Sequence, residues 1–249
     1  MQIFIKRQKR NYQSGAAVIR AINWFFSHVD YGLIIEDDLV VNETFIPYVK
    51  KSLPYLDEND RCLMICGTRL LPENSDSATL SSYPNSWGWA TSKEKWLTIS
   101  KLIFDPMGKL KLIVKPSEWL YWYVGKKRAL LGISDAWDTP LAAGMWSKGF
   151  YSMIPPVNLV SNLGFDSAAT HTLTPSWPLG LQTEEFRNQY VKLDMTRECI
   201  RKNNKFLRQK IFKKSYLYVL KFPFTLLSVL IKNIIAPQEV LIDKVGNIE

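Results

Sequence analysis

Cysteine and histidine are scarce in this chain, and long apolar runs are missing from it. Three cysteines are an odd number and make no disulfide framework. Two of them, Cys62 and Cys66, lie in the segment RCLMICG, which reads as a buried strand. Four residues along a strand span roughly 13 Å at about 3.3 Å per residue, too far for a disulfide. They are expected as core residues of a protein kept in a reducing compartment. The longest apolar run, residues 222–231, is about ten residues long, well short of the roughly 20 needed to cross a bilayer. The opening MQIFIKRQKRNY is too short and too charged for a secretion signal. No GxGxxG, Walker A, CxxC, HExxH or GxSxG motif occurs, and there is no internal repeat or low-complexity tract.

What remains is an apolar, aromatic-rich chain with an uneven charge. Hydrophobic residues make up 47% and aromatics 13% of the 249 residues, enough for one substantial core and too many for a disordered chain. The formal net charge is +9, and residues 192–232 hold eleven Lys and Arg against two acids. Elsewhere the two signs balance at twenty-one each. These counts predict a globular domain over 1–182 followed by a basic, amphipathic helical tail over 183–249, with the composition changing near 178–184.

Local patterns supply the elements. Residues 2–6 read as a short strand. Residues 14–27 carry Ala17, Ile19, Ala21, Ile22, Phe25 and Phe26 at helical spacing. YGLIIEDDLVV reads as a buried strand that emerges into a site. Asn42 or Thr44 is placed to cap the next helix, with Pro47 in its first turn. RCLMICGT is the next strand. Residues 69–96 read as an aromatic, loop-rich stretch; helices follow over 119–131 and in DAWDTPLAAGMWSKG; and YSMIPPVNLVSNL is a strand with loops. Strand alternating with helix is the rhythm of an α/β fold with a mostly parallel sheet.

Several residues are candidates for chemistry. Glu36, Asp37 and Asp38 follow GLII where a strand would end, and ligands of open α/β sheets bind outside strand carboxyl ends. Clustered carboxylates repel unless a cation neutralises them, and hard oxygen donors suit Mg²⁺ or Mn²⁺. The same acids also fit a solvated turn before a helix. Asp135 and Asp138 flank Trp137; an indole wall raises a carboxylate's proton affinity and suits a general base, while a helix N-cap explains the same pattern. Trp87, Gly88 and Trp89 form either a ligand-facing aromatic–glycine loop or plain aromatic packing. His171 is either a structural loop residue or a contact for metal or diphosphate. His28 reads as a helix C-terminal residue and nothing more.

Taken in order, GLIIEDDLVVNETFIPYV, SYPNSWGWAT, ISDAWD and PVNLVSNLGFDSAATHT resemble the bacterial nucleotide-diphospho-sugar transferases related to N-acetylglucosaminyltransferase I, over about residues 11–172. The resemblance implies a GT-A fold, with a mixed sheet flanked by helices. It implies an inverting, Mn²⁺- or Mg²⁺-dependent glycosyltransferase that moves a sugar from a nucleotide-sugar donor to a glycan or lipid-linked acceptor, in surface polysaccharide assembly. Asp38 falls on the metal-contacting acid of the family's DXD variant, and Glu36 and Asp37 on the nucleotide-holding positions. Asp135 falls on the catalytic base, with Asp138 as the nearby alternative. Trp87, Gly88 and Trp89 fall on the loop beside the donor sugar, and His171 on a Thr–His pair with a metal role. Far fewer residues precede the acidic strand than family members carry. The expectation is therefore a truncated or split enzyme with an uncovered apolar sheet edge near Ile3 and Ile5. A non-catalytic remnant that keeps the fold is the alternative.

The tail interleaves cations with apolar residues over 205–214, next to the apolar run at 222–231. That pattern suits either a segment lying on an anionic membrane surface or a basic helix docked on the globule with a solvated face. Together with the resemblance it implies a cytoplasmic protein peripheral to the inner membrane. Nucleic acid is not the expected partner, since no reader motif accompanies the basic patch.

Overall fold

The computed structural model describes residues 2–8, 11–164 and 181–212, together with 223, 224, 227, 228, 230, 231 and 234. It divides the chain into two units, each assembled from segments distant in sequence. One comprises residues 1–30, 96–148 and 217–249; the other comprises 31–95 and 149–216.

Among the described residues the first unit is helical. α1 (Gln13–Phe26) buries Ala16, Ile19, Ile22 and Phe26, one stripe at three- and four-residue spacing. Ala17, Ala21 and Phe25 fall off that stripe, so the expected helix stands with its buried face turned by one position. Just past the helix, Nδ1 of His28 lies 2.8 Å from the Trp24 carbonyl, the C-terminal role expected of it. The other helices are most of α3 (Lys93–Phe104), α4 (Leu110–Val114), α5 (Pro116–Leu130) and α6 (Asp138–Lys148). Trp96 on α3 stacks on Phe26 at 6.3 Å and donates its indole N–H to Asn23 at 2.7 Å. The buried ammonium of Lys126 donates to the carbonyls of Leu102 and Asp105, both at 2.7 Å, and so closes the α3 C-terminus. Gly144 lets α6 run directly against the Leu102 carbonyl, where a β-carbon has no room.

The second unit holds all the strands described. A six-stranded sheet has the order β1-β5-β3-β6-β4-β8, and β2 and β7 pair as a separate ribbon. The strands are β1 (Tyr31–Ile34), β2 (Leu39–Val41), β3 (Cys62–Cys66), β4 (Ala78–Ser81), β5 (Trp89–Ser92), β6 (Tyr151–Ile154), β7 (Val160–Asn162) and β8 (Leu193–Asp194). β3 is buried at every position, as its unbroken apolar sequence predicts. Helix α2 (Phe45–Glu58) packs Phe45, Tyr48, Val49 and Leu56 into one cluster with Cys62, Ile65, Leu80, Ala90, Met153 and Val160. Cys62 and Cys66 are free thiols, and burial lifts them to about 12 and about 11.

The chain is thus a mixed α/β protein with a helix-flanked sheet. The sheet is more antiparallel than alternating strand and helix suggests: β3–β6 and β4–β8 run parallel, while β1–β5, β5–β3 and β6–β4 run antiparallel. Two of these antiparallel pairs come from β5, which enters from the loop-rich middle of the chain and inserts between β1 and β3. It leaves β1 at the sheet edge, half-buried rather than buried as expected. Residues 2–8 form no strand, and Ile3, Phe4 and Ile5 are exposed without a ladder partner. The stretch from 181 to 212 is no separate appendage. β8 pairs with β4, and Asn203 and Asn204 of α7 (Arg197–Phe212) bond Thr79, Ser81 and Ser82.

Candidate functional site

The acids lie in a tight turn between β1 and β2. Leu39 N–H returns to the Glu36 carbonyl at 3.3 Å, and Asp37 and Asp38 occupy the turn, where short acidic side chains are favoured. The β2–β7 ribbon fixes the turn from the far side. Leu39 pairs with Asn162 and Val41 with Val160, and Leu163 N–H donates to the Asp38 carbonyl at 2.9 Å. Leu159 completes the staple: its N–H donates to Gly67 O and its carbonyl accepts from Asn42 N, both at 2.9 Å. Asn42 also caps locally, accepting the Thr44 N–H at 2.9 Å, while Thr44 is the N-cap residue of α2 without a side-chain cap bond of its own. Pro47 sits in that helix's first turn, as expected.

The three carboxylates are not equivalent. Asp37 is exposed, and Glu36 and Asp38 are half-buried. Oδ1 of Asp38 is buried without a hydrogen-bond partner among the described residues. Its other oxygen lies where a β-carbon on Gly164 would sit. Gly164 is held there by its N–H, which donates to Asn162 Oδ1 at 2.7 Å. Among the described residues neither Asp37 nor Asp38 has an ion-pair partner. A buried, unsatisfied carboxylate oxygen costs free energy unless a donor or a cation reaches it.

The Trp87–Gly88 segment reaches the same end of the sheet, because Ile34 pairs with Trp89 in antiparallel register. Its role differs from the one expected. Trp89 is fully buried in β5, so its indole offers no face to a ligand. Trp87 is half-buried. Gly88 has φ +58°, and a β-carbon there would come within 2.8 Å of Val160 Cγ2. Glycine is therefore required by backbone conformation and by packing against β7, rather than by approach to a ligand. The carbonyls of Gly88 and Trp87 accept from Gly67 N at 2.7 Å and from Thr68 Oγ1 at 2.9 Å.

Sequence patterns missed Arg69 and Asn158 as organisers of this end. The buried Arg69 guanidinium donates to the carbonyls of Glu73 at 2.7 Å and Pro155 at 2.8 Å. Burial holds it below its ordinary value. Asn158 accepts the Arg69 N–H at 2.9 Å and donates to Gln182 O at 3.0 Å, tying three separate segments together. Asn162 and Gly164 were also missed, although Asn-x-Gly is a turn signal that could have singled them out.

No model of a known protein family matches this chain, and no curated protein matches it. The remaining candidates lie elsewhere. Asp135 and Asp138 belong to the helical unit and are exposed, while Trp137 between them is buried. Among the described residues Asp135 is thus exposed rather than enclosed beside the indole as expected. Ser134 Oγ accepts the Ala136 N–H at 3.3 Å, and Asp138 opens α6. His171 lies outside the described residues. Among those residues no three His, Cys, Asp or Glu side chains gather as a metal cage. Carboxylate oxygens such as those of the acidic turn are the donor type that could hold a hard divalent cation.

Proposed function

We propose that the chain is a metal-dependent, inverting glycosyltransferase of the GT-A type, moving a sugar from a nucleotide-sugar to a glycan or lipid-linked acceptor hydroxyl in surface polysaccharide assembly. The observation that carries this reading is Asp38: a carboxylate with one oxygen buried and, among the described residues, without a hydrogen-bond partner, at a strand end, beside two further acids. Asp38 would hold Mn²⁺ or Mg²⁺, and Glu36 and Asp37 would contact the nucleotide. When bound, the ion would neutralise charge on the diphosphate leaving group. Trp87, the less buried of the two indoles, remains the one suited to a sugar face. Asp135, with Asp138 as its alternative, is assigned the acceptor's proton on sequence resemblance alone. A cytoplasmic site at the inner face of a membrane accords with the basic segments, and among the described residues no helix is long and apolar enough to cross a bilayer.

Calorimetry of UDP and GDP binding with and without Mn²⁺ tests the proposal. Asp38→Ala should weaken Mn²⁺-dependent binding at least about ten-fold, the equivalent of about 1.4 kcal/mol, with an unchanged circular dichroism spectrum. Equal Mn²⁺ affinity in the variant refutes the assignment. Tight Mn²⁺–nucleotide binding without transfer of any sugar tried would favour a scaffold that retains the fold.

A further inference from the structure

Helix α4 packs on its unit through one side and leaves its apolar residues exposed. Its sequence, Leu-Lys-Leu-Ile-Val, includes no buried residue. Leu110 is 71% exposed, Ile113 79% and Val114 64%. Single exposed apolar residues are ordinary, but a contiguous group marks an interaction surface. The base of this helix is firmly held. Trp119 Nε1 donates to Gly108 O at 3.1 Å, Lys111 lies 5.3 Å over the Trp146 ring, and Lys115 pairs with the buried Glu118 at 3.6 Å. The apolar tips are therefore presented on a fixed support.

Charge identifies what such a surface meets. Lys109, Lys111 and Lys115 are interspersed with the apolar residues along the chain, and no acid lies between Asp105 and Glu118. The asymmetry extends to the whole unit: its segments hold sixteen Lys and Arg against eight acids, whereas the sheet-bearing unit holds sixteen against fifteen. The helical unit thus carries eight of the nine net positive charges. A like-charged second copy would be repelled from such a patch, while an anionic lipid surface complements both its charge and its greasy centre. Helical residues Phe224, Leu227, Ile231 and Ile234 of the same unit are exposed as well, and they recur at three- and four-residue spacing.

We infer that α4 is a wedge that inserts Leu110, Ile113 and Val114 into an anionic bilayer surface, with Lys109 at the headgroups. This inference goes beyond the sugar-transfer reading and does not depend on it. The test is co-sedimentation of the full chain with phosphatidylcholine vesicles, with and without phosphatidylglycerol. Wild type should pellet with the anionic vesicles only, and less so as salt rises. The exposed triple variant Leu110→Ser, Ile113→Ser, Val114→Ser should lose about ten-fold or more in partitioning, and Lys109→Glu should lose several-fold. Circular dichroism checks that both remain folded. The inference is overturned if wild type ignores both kinds of vesicle, binds both equally, or binds no better than the triple variant. It is equally overturned if Phe224→Ser with Leu227→Ser abolishes binding that the triple variant retains, which would place the anchor in the tail. Concentration-dependent dimers that the triple variant abolishes, without vesicle binding, would identify a second copy as the true occupant.

Discussion

Replacing Gly164 with alanine tests the geometry around Asp38 without any ligand. A β-carbon there would overlap Asp38 Oδ2 and stand 3.1 Å from Asn162 Oδ1. Two responses are open to the chain. Asp38 can swing off its rotamer at a cost of about 0.5–1.5 kcal/mol, or the backbone can shift, where overpacking costs about 1–3 kcal/mol. Gly164→Ala should therefore lose about 1–2 kcal/mol in urea unfolding. Asp38→Ala removes the oxygen that would be struck, so the double variant should recover most of that loss. The coupling expected is about 1 kcal/mol, above the roughly 0.3–0.5 kcal/mol scatter of independent sites. Without a cation, Asp38→Ala alone should be neutral or stabilising, because it deletes a buried oxygen that has no described partner. Additive losses in the double variant, or an unshifted midpoint for Gly164→Ala, would refute the packing described.

Alkaline pH should destabilise the sheet-bearing unit. Cys62 moves from its ordinary 9.0 to about 12 and Cys66 to about 11, both chiefly through burial. Unfolded thiols ionise first, so their contribution is whole below about pH 9 and drains away as pH climbs toward 11–12. The slope reaches up to about 1.4 kcal/mol per pH unit per thiol, and a urea midpoint that stays flat from neutral pH into this range would contradict it. In a coupled assay of sugar transfer, Asp135→Asn should cut turnover by about 10²-fold or more with donor binding kept. If Asp138→Asn does so instead, the base lies one helical turn away.

Much of the secondary structure is legible along the chain. The unbroken apolar run of β3, the Asn42–Thr44 entry to α2 and the helical spacing in α1 are local signals, because each element's own hydrogen bonds and one buried face dictate them. The acidic turn was legible for the same reason: three consecutive carboxylates beyond GLII cannot continue a buried strand. Gly88 was legible as a special position, but not the reason for it, because Val160 approaches from far away in sequence.

Only the tertiary structure decided the rest. β5 inserts between β1 and β3, which sends β1 to the edge and buries Trp89, an indole that sequence alone leaves free to face a ligand. β7 brings Asn162 and Gly164 against Asp38, a half-buried member of the acidic triplet with one oxygen buried and, among the described residues, without a hydrogen-bond partner. The two units draw on interleaved segments: nine of the eleven Lys and Arg of residues 192–232 belong to the sheet-bearing unit, where acids from other segments balance them, so the net positive charge is left on the helical unit. Strand partners, side-chain burial and shared surfaces are set by packing between distant segments. A local periodicity names which face of an element is apolar, but not what comes to cover it.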